Sequence, residues 1–519
     1  MFDIVGFDSN YKVPYFAVKI NYAQGPIEGA GELNVLLCGL PGTGGNLGVN
    51  SEIRQVFQQS DVDAAVQPGC QLSRMGRSAF LAVPQGANIF ICAPAEPSGA
   101  KATFTVTITG SNTNATTGQI TLHLGGKDIV VTVGTADPVA TIATNIANAM
   151  AAQPDSPFVG LGVAGVMTGT CIDPGLQGND WVVALDVSLL PAGYTATLAG
   201  SSTLHSNENG VSSVFAGATP GSGVEDVTTI LTKLTCQRWA RIGAGQRDAS
   251  NAALWKAFVR QQMAPLVQKY NMVVFGFNGT QSGATTLAQT TLNDPNCQVV
   301  AMRYSEAHPA EIAAGVATLR AAVEVDDPVP DYDGMNSASH GDWSAWIPPN
   351  RFDADNWLDS EANVLLNAGV TPIQTMGGAA KCTRAITSYC QLNGGQDQRC
   401  LDIGDAVFPA YAAIVLSNLW WSQFRTANKY VRDNPLPQEP EPPSGVGYPN
   451  LWKSTLTKQL EEWFANDWLT HTWDPADEPY YPVGVAFNKA AQRIQSAVNL
   501  VVSRVDHQLA QTINQTGPS

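Results

Sequence analysis

Charge is scarce in this chain, and basic charge is the scarcer kind. Only 14% of its 519 residues are charged, and 28 Lys and Arg stand against 44 Asp and Glu, which gives a formal net charge of -16. Binding to nucleic acid needs clustered Lys and Arg, because these side chains release the counterions that phosphates hold. The sparse, acidic surface therefore argues against a nucleic-acid partner.

Long apolar runs are also missing. No run approaches about twenty residues, the length that a helix needs to cross a bilayer, so the sequence predicts no membrane insertion. The N-terminus reads MFDIVGFDSNYKVPYF and contains no basic region followed by an apolar core. We therefore expect no signal peptide.

The cysteines give little support for disulfide or metal chemistry. Their number, nine, is odd, and they are scattered between Cys38 and Cys400 without CxxC spacing, which favours reduced thiols. Cys382, Cys390 and Cys400 are close in sequence, but their spacing fits no tetrahedral zinc pattern. We predict no metal site.

A glycine-rich segment, LPGTGGNLG, follows a buried strand at Asn34 to Gly39. Gly39 and Gly44 have the spacing of a phosphate-binding loop, but Gly45 and Asn46 stand where that loop needs Lys and Ser or Thr. Without the lysine the phosphates have no clamp, so we expect no nucleotide cofactor. The segment is interpreted as a strand-to-helix loop, with a helix from Ser51 to Phe57 and Ser51 as its N-cap.

Catalytic residues are not predicted. His340-Gly341 superficially resembles a subtilase histidine motif, and the carboxylates of Asp331, Asp333 and Asp342 are near in sequence. No Gly-Thr-Ser nucleophile segment follows, and nucleophilic catalysis needs Ser, His and an orienting acid together. The other candidates, His123 and His205, are isolated, and a lone strand histidine is usually structural. A solvated loop is the better interpretation of 326–342.

What the sequence does contain is a regular alternation of strands and helices. A buried strand at Ala87 to Ala93 completes a first α/β segment, and strands alternate with helices again after Gly217, up to a helix from Pro309 to Val323. This order predicts a parallel sheet that is covered on both faces. At 519 residues the chain is too long for one core, so three or more domains are expected.

Between these two segments the composition changes. KATFTVTITG, GQITLHLGG and DIVVTVGT predict three strands, because they are rich in Thr, Val and Ile and are separated by Gly and Asn turns. A helix at Asp137 to Ala151 and further strands at Gly160 to Thr170, Trp181 to Leu189 and Tyr194 to Gly200 follow. We predict a β-rich domain with one helix, inserted at 98–216.

The stretch from Glu361 to Tyr411 is the most informative. Gly369 ends a short helix, and strands at Val370 to Gln374 and Lys381 to Tyr389 form a predicted hairpin around Met376 to Ala380. Arg384 lies in the middle of the second strand and is interpreted first as an ion-paired or snorkelling residue.

A family resemblance is carried by the same stretch. The LLNAGV run, the glycine-rich hairpin, RAITSY, the GGQD loop and LDIGDAVFPAY entering a long helix resemble, in that order, the C-terminal core of contractile-tail sheath proteins, and most of all the Mu-like phage tail sheath group. The resemblance implies a non-enzymatic subunit of stacked hexameric rings around a tail tube. Contraction of such a sheath drives the tube through the host envelope.

The resemblance also implies a multidomain α/β fold with a subtilisin-like layer, and extended arms at both ends. The implied partners are other copies of the chain, the tail tube protein, and baseplate and tail terminator proteins, in a virion assembled in the host cytoplasm. The predicted divisions are 1–23 for the N-terminal arm, 24–97 with 217–350 for the α/β domain, 98–216 for the insert, 351–482 for the C-terminal core and 483–519 for the C-terminal arm.

Two sets of residues are candidates for assembly contacts. Alternation in an unanchored segment points to Tyr11, Val13, Tyr15 and Val18 as an arm that adds a strand to a neighbouring subunit, and the resemblance adds Leu500 and Val502. A basic pair in an acidic chain, Lys381 and Arg384, is expected to face the tube. Two alternatives stay open: a hydrolase on a subtilisin-like scaffold, and a surface-binding module formed by the insert.

Overall fold

The structure is a computed structural model. It describes residues 34–84, 87–112, 116–264, 267–325, 327–334, 340–397, 400–420, 430–438, 446–469, 483–488 and 493–498. The predicted arm residues Tyr11, Val13, Tyr15, Val18, Leu500 and Val502 lie outside these ranges.

Twenty-three strands are described. In chain order they are β1 (Val35–Cys38), β2 (Ile53–Val56), β3 (Ile89–Cys92), β4 (Lys101–Gly110), β5 (Gly118–Leu124), β6 (Lys127–Val133), β7 (Phe158–Val163), β8 (Val166–Pro174), β9 (Val182–Asp186), β10 (Tyr194–Ala199), β11 (Ser202–Glu208), β12 (Val211–Phe215), β13 (Arg241–Ala244), β14 (Met272–Phe277), β15 (Cys297–Ala301), β16 (Val370–Met376), β17 (Ala379–Cys382), β18 (Gln391–Leu392), β19 (Gly395–Gln396), β20 (Tyr430–Val431), β21 (Val446–Gly447), β22 (Val483–Asn488) and β23 (Arg493–Val498).

The helices alternate with these strands. They are α1 (Gln59–Ala65), α2 (Gln71–Ala82), α3 (Val139–Ala151), α4 (Thr228–Leu234), α5 (Ala249–Gln262), α6 (Gln281–Thr285), α7 (Pro309–Val323), α8 (Asp359–Asn367), α9 (Ile403–Trp420) and α10 (Pro449–Ala465). A π-helical turn at Thr286–Leu292 continues α6, and short 3-10 turns lie at Leu176–Asp180 and Asp353–Asp355.

The central sheet has eight strands in the order β17-β16-β15-β14-β13-β1-β3-β2. The six strands from β16 to β3 run parallel, while β2 and β17 pair antiparallel at the two edges. Strands such as VLLC and MVVFGF are apolar along their whole length and buried at every residue, as expected when both faces of a parallel sheet are covered. The predicted α/β layer is thus present as a mixed sheet.

Helices cover both faces of this sheet. On one face α1, α2 and α7 contribute Val62, Leu72 and Ile312 to the core. On the other face α4, α5 and α8 contribute Ile230, Trp255 and Leu365.

Helix α7 begins and ends at the predicted residues. His308 is its N-cap, Pro309 occupies the first turn, and Glu311 completes a capping box, so local signals fix this boundary.

The predicted helix from Ser51 to Phe57 is wrong. Residues 53–56 form β2, which pairs antiparallel with β3 from Ile53↔Cys92 to Val56↔Ile89. The β-branched side chains of Ile53 and Val56 suit a strand, and the unpaired edge of β3 offers hydrogen bonds that a single helical turn at the surface would leave unmade.

The chain leaves the central sheet after β3 and returns to it at β13. In between, it builds a four-stranded sheet in the order β10-β4-β8-β7 and a five-stranded sheet in the order β11-β12-β9-β5-β6. Helix α3 and both sheets share a core of their own that includes Phe104, Ile146 and Trp181. We refer to this unit, β4 to β12, as the insert; its domain boundaries stay predictions.

The insert is joined to the body at a neck, where its entering and leaving segments lie side by side. The amide of Thr103 donates to the carbonyl of Thr219 (3.0 Å), and the amide of Ser222 donates to the carbonyl of Ala100 (3.0 Å). The two chain ends of the insert are therefore adjacent, at hydrogen-bonding distance from each other.

The predicted hairpin is shorter than expected. β16 pairs with β17 only as far as Ile373↔Cys382, so the predicted strand from Lys381 to Tyr389 is wrong beyond Cys382. The next pair fails because Pro372 has no N–H to return a bond: the amide of Thr383 donates to the carbonyl of Pro372 (3.0 Å), and the ladder ends there.

The C-terminal part packs around α9 and α10. Phe408 contacts Trp463 edge to face at 5.5 Å between ring centroids, and Trp452 and Leu456 are buried beside them. Among the described residues, α9 is the one helix long and apolar enough to cross a membrane, and 56% of it is buried inside the fold.

Strands β22 and β23 form an antiparallel hairpin within the segment predicted as the C-terminal arm. Val485 and Ile494 pack against the α9–α10 core, and the indole N–H of Trp452 donates to the hydroxyl of Ser496 (3.3 Å). The described part of this segment is therefore docked on the C-terminal core.

Candidate functional site

The glycine-rich loop after β1 does not lead into a helix. It is followed by the edge strand β2, whereas a phosphate-binding loop opens directly into the helix whose N-terminus holds the phosphate. Its backbone is occupied by α2: the amide of Leu40 donates to the side-chain oxygen of Gln71 (2.9 Å), and the amide of Leu72 donates to the carbonyl of Leu40 (3.0 Å). The loop is a structural link between β1 and α2.

The polar residues around His340 make local hydrogen bonds that stabilise turns. The carboxylate of Asp331 accepts from the amide of Asp333 (2.8 Å), and that of Asp342 accepts from the amide of Ser344 (3.1 Å). His340 is exposed, and its carbonyl accepts from the indole N–H of Trp343 (2.9 Å). These carboxylates are engaged locally, in bonds that shape the loop.

The cysteines do not gather into a site. All nine are free, and Cys236 is the exposed one. Burial raises the pKa of the Cys390 thiol to about 11, so it is protonated near neutral pH. Within the described ranges no group of three or more His, Cys, Asp or Glu side chains could hold a metal ion.

The two basic residues predicted to face the tube, Lys381 and Arg384, make different contacts in the structure. Arg384 makes a two-pronged ion pair with Asp402, in which both oxygens are 2.8 Å from guanidinium nitrogens. Lys381 lies on β17, opposite Gln374 of β16, and forms a backbone bridge with Asp342. Arg384 is thus the ion-paired residue that its position in the sequence first suggested, and Lys381 is half-buried beside it.

A network of polar residues joins the insert to the body, and sequence reasoning missed it. Arg74 of α2 is buried; its guanidinium is paired with Glu311 of α7 and donates to the carbonyl of Gly125 in the β5–β6 turn (2.7 Å). It also lies over the ring of Trp181, 5.6 Å from the centroid. One arginine therefore ties two body helices to the insert.

Asp155, which follows α3, adds a second tie. Its carboxylate is within ion-pair reach of Arg74 (3.6 Å) and is also paired with Arg77 of α2 and Lys127 of β6. Burial and the positive charges of Arg77 and Arg74 lower the pKa of Lys127 to about 8.

His205 forms a third tie at the other end of the insert. Its Nδ1 is 2.8 Å from Glu208 of β11, and its Nε2 is 2.8 Å from Asp355 of the body. The imidazole stacks on Phe352 with 3.9 Å between ring centroids. A neutral imidazole has one N–H, so only the protonated ring donates to both carboxylates.

An open cavity of about 420 Å³ lies beside His205. Its lining comes from the carboxyl ends of β14 and β15 and from β11, and includes Thr280, Arg303 and Tyr304. Arg303 is already paired with Glu361 (2.5 Å) and lies over the ring of Trp357. The cation that would attract an anionic ligand is therefore engaged.

Two buried carboxyl groups lie where the insert meets the carboxyl edge of the central sheet. Burial raises the pKa of Asp173 to about 8, against the opposing effect of the Gln71 amide that donates to it (2.6 Å). Burial likewise raises the pKa of Glu225 to about 7. Both groups hold a proton more readily than an exposed carboxyl.

These ties could not be found by motif. Arg74, Asp155 and His205 reach their partners only through the fold. Gln71, Arg77 and Ser78, on the same face of α2 as Arg74, are polar as well, so the sequence pattern does not distinguish the buried arginine from a solvated one.

Comparison with known proteins identifies one sequence relative. No family model matches the chain. The tail sheath protein of the Mu-like prophage FluMu from Haemophilus influenzae is 25% identical over 299 residues, which cover 56% of this chain and 55% of that protein. The match thus spans little more than half the length of the relative. It confirms the resemblance to Mu-like tail sheath proteins.

Three solved structures of sheath proteins also show some likeness to the chain. The sheath tail protein of Desulfitobacterium hafniense has 11% identity and a TM-score of 0.44, covering 92% of this chain and 93% of that chain. The sheath tail protein of Listeria innocua has 12% identity and a TM-score of 0.45, covering 93% and 95%. The contracted helical sheath of the anti-feeding prophage has 9% identity and a TM-score of 0.47, covering 98% and 100%. Likeness at this level does not establish a common fold.

Proposed function

We propose that the chain is a structural subunit of a contractile tail sheath. It stacks as hexameric rings around a tail tube and contracts to drive the tube through the host cell envelope. The observation that carries the proposal is the 25% identity over 299 residues to a Mu-like tail sheath protein, together with the ordered run of matching segments between Glu361 and Tyr411.

A sheath subunit has to move as a rigid body, and the polar ties support that requirement. The bond from Arg74 to the β5–β6 turn and the contact of His205 with Asp355 hold the insert to the body at separate places. The free energy of contraction then resides in contacts between subunits, in two alternative packings of the same rigid units. Contraction of such a sheath requires no cofactor.

The arms are proposed to keep neighbouring subunits connected during this movement. Tyr11, Val13, Tyr15 and Val18 at the N-terminus, and Leu500 and Val502 at the C-terminus, supply the apolar side chains. Added strands are held by main-chain hydrogen bonds, and several pairings would have to break together before a subunit left its ring.

Lys381 is proposed to face the tail tube, with Arg384 beside it. Because Arg384 is paired with Asp402, most of the available positive charge belongs to Lys381. We expect Lys381→Glu to weaken assembly on isolated tail tubes, measured by co-sedimentation, with Lys453→Glu on the exposed face of α10 as the matched control. Equal assembly of both variants would remove Lys381 from the interface.

The remaining partners follow from the same proposal: a baseplate at one end of the sheath and a tail terminator at the other, in a virion assembled in the host cytoplasm. The insert is proposed to lie on the outside of the sheath, away from the tube.

Negative-stain electron microscopy of the purified chain tests the function. Tubes or stacked rings with six-fold end views are the expected result. Uniform monomers in the presence of tail tube and baseplate would contradict the proposal, and labelling by a serine-hydrolase activity probe would favour the hydrolase alternative.

A further inference from the structure

Strand β7 lies at an open edge of the insert and presents large apolar side chains. It is the last strand of its sheet, paired only with β8 in the described part of the chain. Val159, Leu161 and Val163 are 59%, 66% and 60% exposed, whereas Gly160 and Gly162 face α3 at close range. Natural sheets usually protect such an edge with charge, proline or a bulge, and β7 has none of these.

The helix behind β7 and the β8 residues opposite Val159, Leu161 and Val163 carry no charge either. The helix behind it, α3, reads VATIATNIANAMA, without a charged residue. The sheet face beside Val159 and Leu161 continues across β8 and β4 through the threonines in register with them: Thr170, Thr168, Thr103 and Thr105. In a chain with a formal net charge of -16, two copies approach here without like-charge repulsion.

The sequence of this edge is the same in both directions. Residues 159–163 read Val-Gly-Leu-Gly-Val. When two such strands pair antiparallel about Leu161, Val159 of each copy lies opposite Val163 of the other, glycine lies opposite glycine, and Leu161 lies opposite itself. A two-fold interface requires this self-complementarity.

The backbone N–H and C=O groups at the open edge of β7 belong to the residues that this pairing requires. The amide of Ile172 in β8 donates to the carbonyl of Pro157 (2.9 Å), and bonded and unbonded positions alternate along an antiparallel pair. Leu161 therefore directs its backbone groups to β8, and Gly160 and Gly162 direct theirs to the open edge. In the two-fold pair the glycines of the two copies exchange hydrogen bonds across the edge.

We propose that β7 is a self-association edge whose occupant is β7 of a second copy of this chain, paired antiparallel about Leu161. This goes beyond the sheath role, because copies related by a two-fold axis point in opposite directions and cannot be neighbours in rings stacked one way. The pair belongs to subunits outside the array. The strand pair itself uses only residues 159–163 of each copy, against roughly 20–30 residues a side in a standard interface, so we expect the pair to exchange readily and to give way to polymerisation.

Site-directed disulfide formation tests the register. In the full-length chain with its exposed Cys236 changed to Ser, Leu161→Cys is oxidised under mild conditions and analysed on a non-reducing gel. A non-hydrogen-bonded pair brings the Cα atoms to about 4.5 Å, within disulfide range, so a covalent dimer is expected. Val159→Cys or Val163→Cys alone should not react, because about four residues at ~3.4 Å each separate a position from its copy. A mixture of the two should cross-link.

A second pair of variants sets the control for chance collision. Adding Leu161→Lys to both Val159→Cys and Val163→Cys places two charges opposite each other and should reduce cross-linking of the mixture at least tenfold. Equal yields from Leu161→Cys and from Val159→Cys alone, or yields insensitive to Leu161→Lys, would overturn the proposal. Ring formation under reducing conditions, with tail tube and baseplate present, is scored separately. Rings without the register-specific dimer contradict only this inference, and the dimer without rings contradicts only the sheath function.

Discussion

Glu324 lies at the end of α7 between two arginines of the body. Its carboxylate is paired with Arg320 (2.6 Å) and with Arg241 of β13, and it accepts from the hydroxyl of Tyr332 (3.2 Å). All of these side chains are buried. A charge in such a place is tolerated only while its partners are present.

We expect Glu324→Gln to lower the free energy of unfolding by about 3–5 kcal/mol, because it leaves two buried guanidinium groups without a counter-charge. Urea unfolding followed by tryptophan fluorescence measures the change. Glu52→Gln is the matched control: Glu52 pairs with Arg54, and about a third of each side chain is exposed, so the loss there should stay below about 1 kcal/mol. Similar losses in both variants would contradict the importance of burial.

The pKa of Asp173, raised to about 8 by burial, makes stability depend on pH. The folded protein keeps the proton that the unfolded chain releases near pH 4, so folding is favoured at low pH and this contribution is lost as the pH rises from about 4 to 8. Asp173→Asn keeps an acceptor for the Gln71 amide and should make the urea midpoint less dependent on pH between pH 5 and 8. An unchanged pH slope would mean that Asp173 is ionised in the fold.

Helix α3 packs closely on strand β7 because two residues of the strand, Gly160 and Gly162, have no Cβ. A Cβ on Gly162 would lie 2.6 Å from the backbone of Ala143, and one on Gly160 would lie 2.9 Å from the Cα of Ala147. Backbone cannot give way as a flexible side chain can, so the helix would have to move.

Gly162→Ala should therefore lower the free energy of unfolding by about 1–3 kcal/mol, the usual cost of overpacking. Gly395→Ala serves as the control, because its Cβ would meet only the carbonyl of Leu392 at 3.7 Å, and it should change stability by less than about 0.5 kcal/mol. Thermal unfolding of both full-length variants decides: a Gly162→Ala protein as stable as the control would show that α3 can shift without loss.

Elements with strong local signals were predictable from the sequence, and elements made by pairing were not. Pro309 and Glu311 mark the start of α7. Gly369, at a φ of +79°, follows the C-cap of α8 and terminates this helix as predicted. β2 was mistaken for a helix because its partner strand is distant in sequence. β11 and β12 were not predicted, since Ser202–Glu208 is polar and forms a strand only against its neighbour.

The candidate site shows the same division. Arg384 was correctly interpreted as an ion-paired residue, but its partner, Asp402, comes from another loop. The ties made by Arg74 and His205 depend on how the insert folds back on the body, which no local pattern records.

At the scale of the whole molecule, the proposed assembly relies on an N-terminal arm that lies outside the described ranges. Deletion of residues 1–20 should abolish polymerisation, because it removes the strand that each subunit is proposed to lend its neighbour. Microscopy and sedimentation measure the assembly state, and circular dichroism confirms that the truncated subunit is folded. Rings formed by the truncated chain in normal yield would rule out the N-terminal arm.

The neck of the insert has one more consequence. Because the chain enters and leaves through neighbouring residues, with Thr103 bonded to Thr219 and Ala100 to Ser222, we expect β3 and β13 to keep their places when the segment between them is exchanged. The replacement would also have to supply partners for Arg74 and Asp355. If the insert lies on the outside of the sheath, as proposed, recombination at this point would change the surface of the particle and leave the central sheet unaltered, and a foreign domain with adjacent termini could be displayed there in many copies.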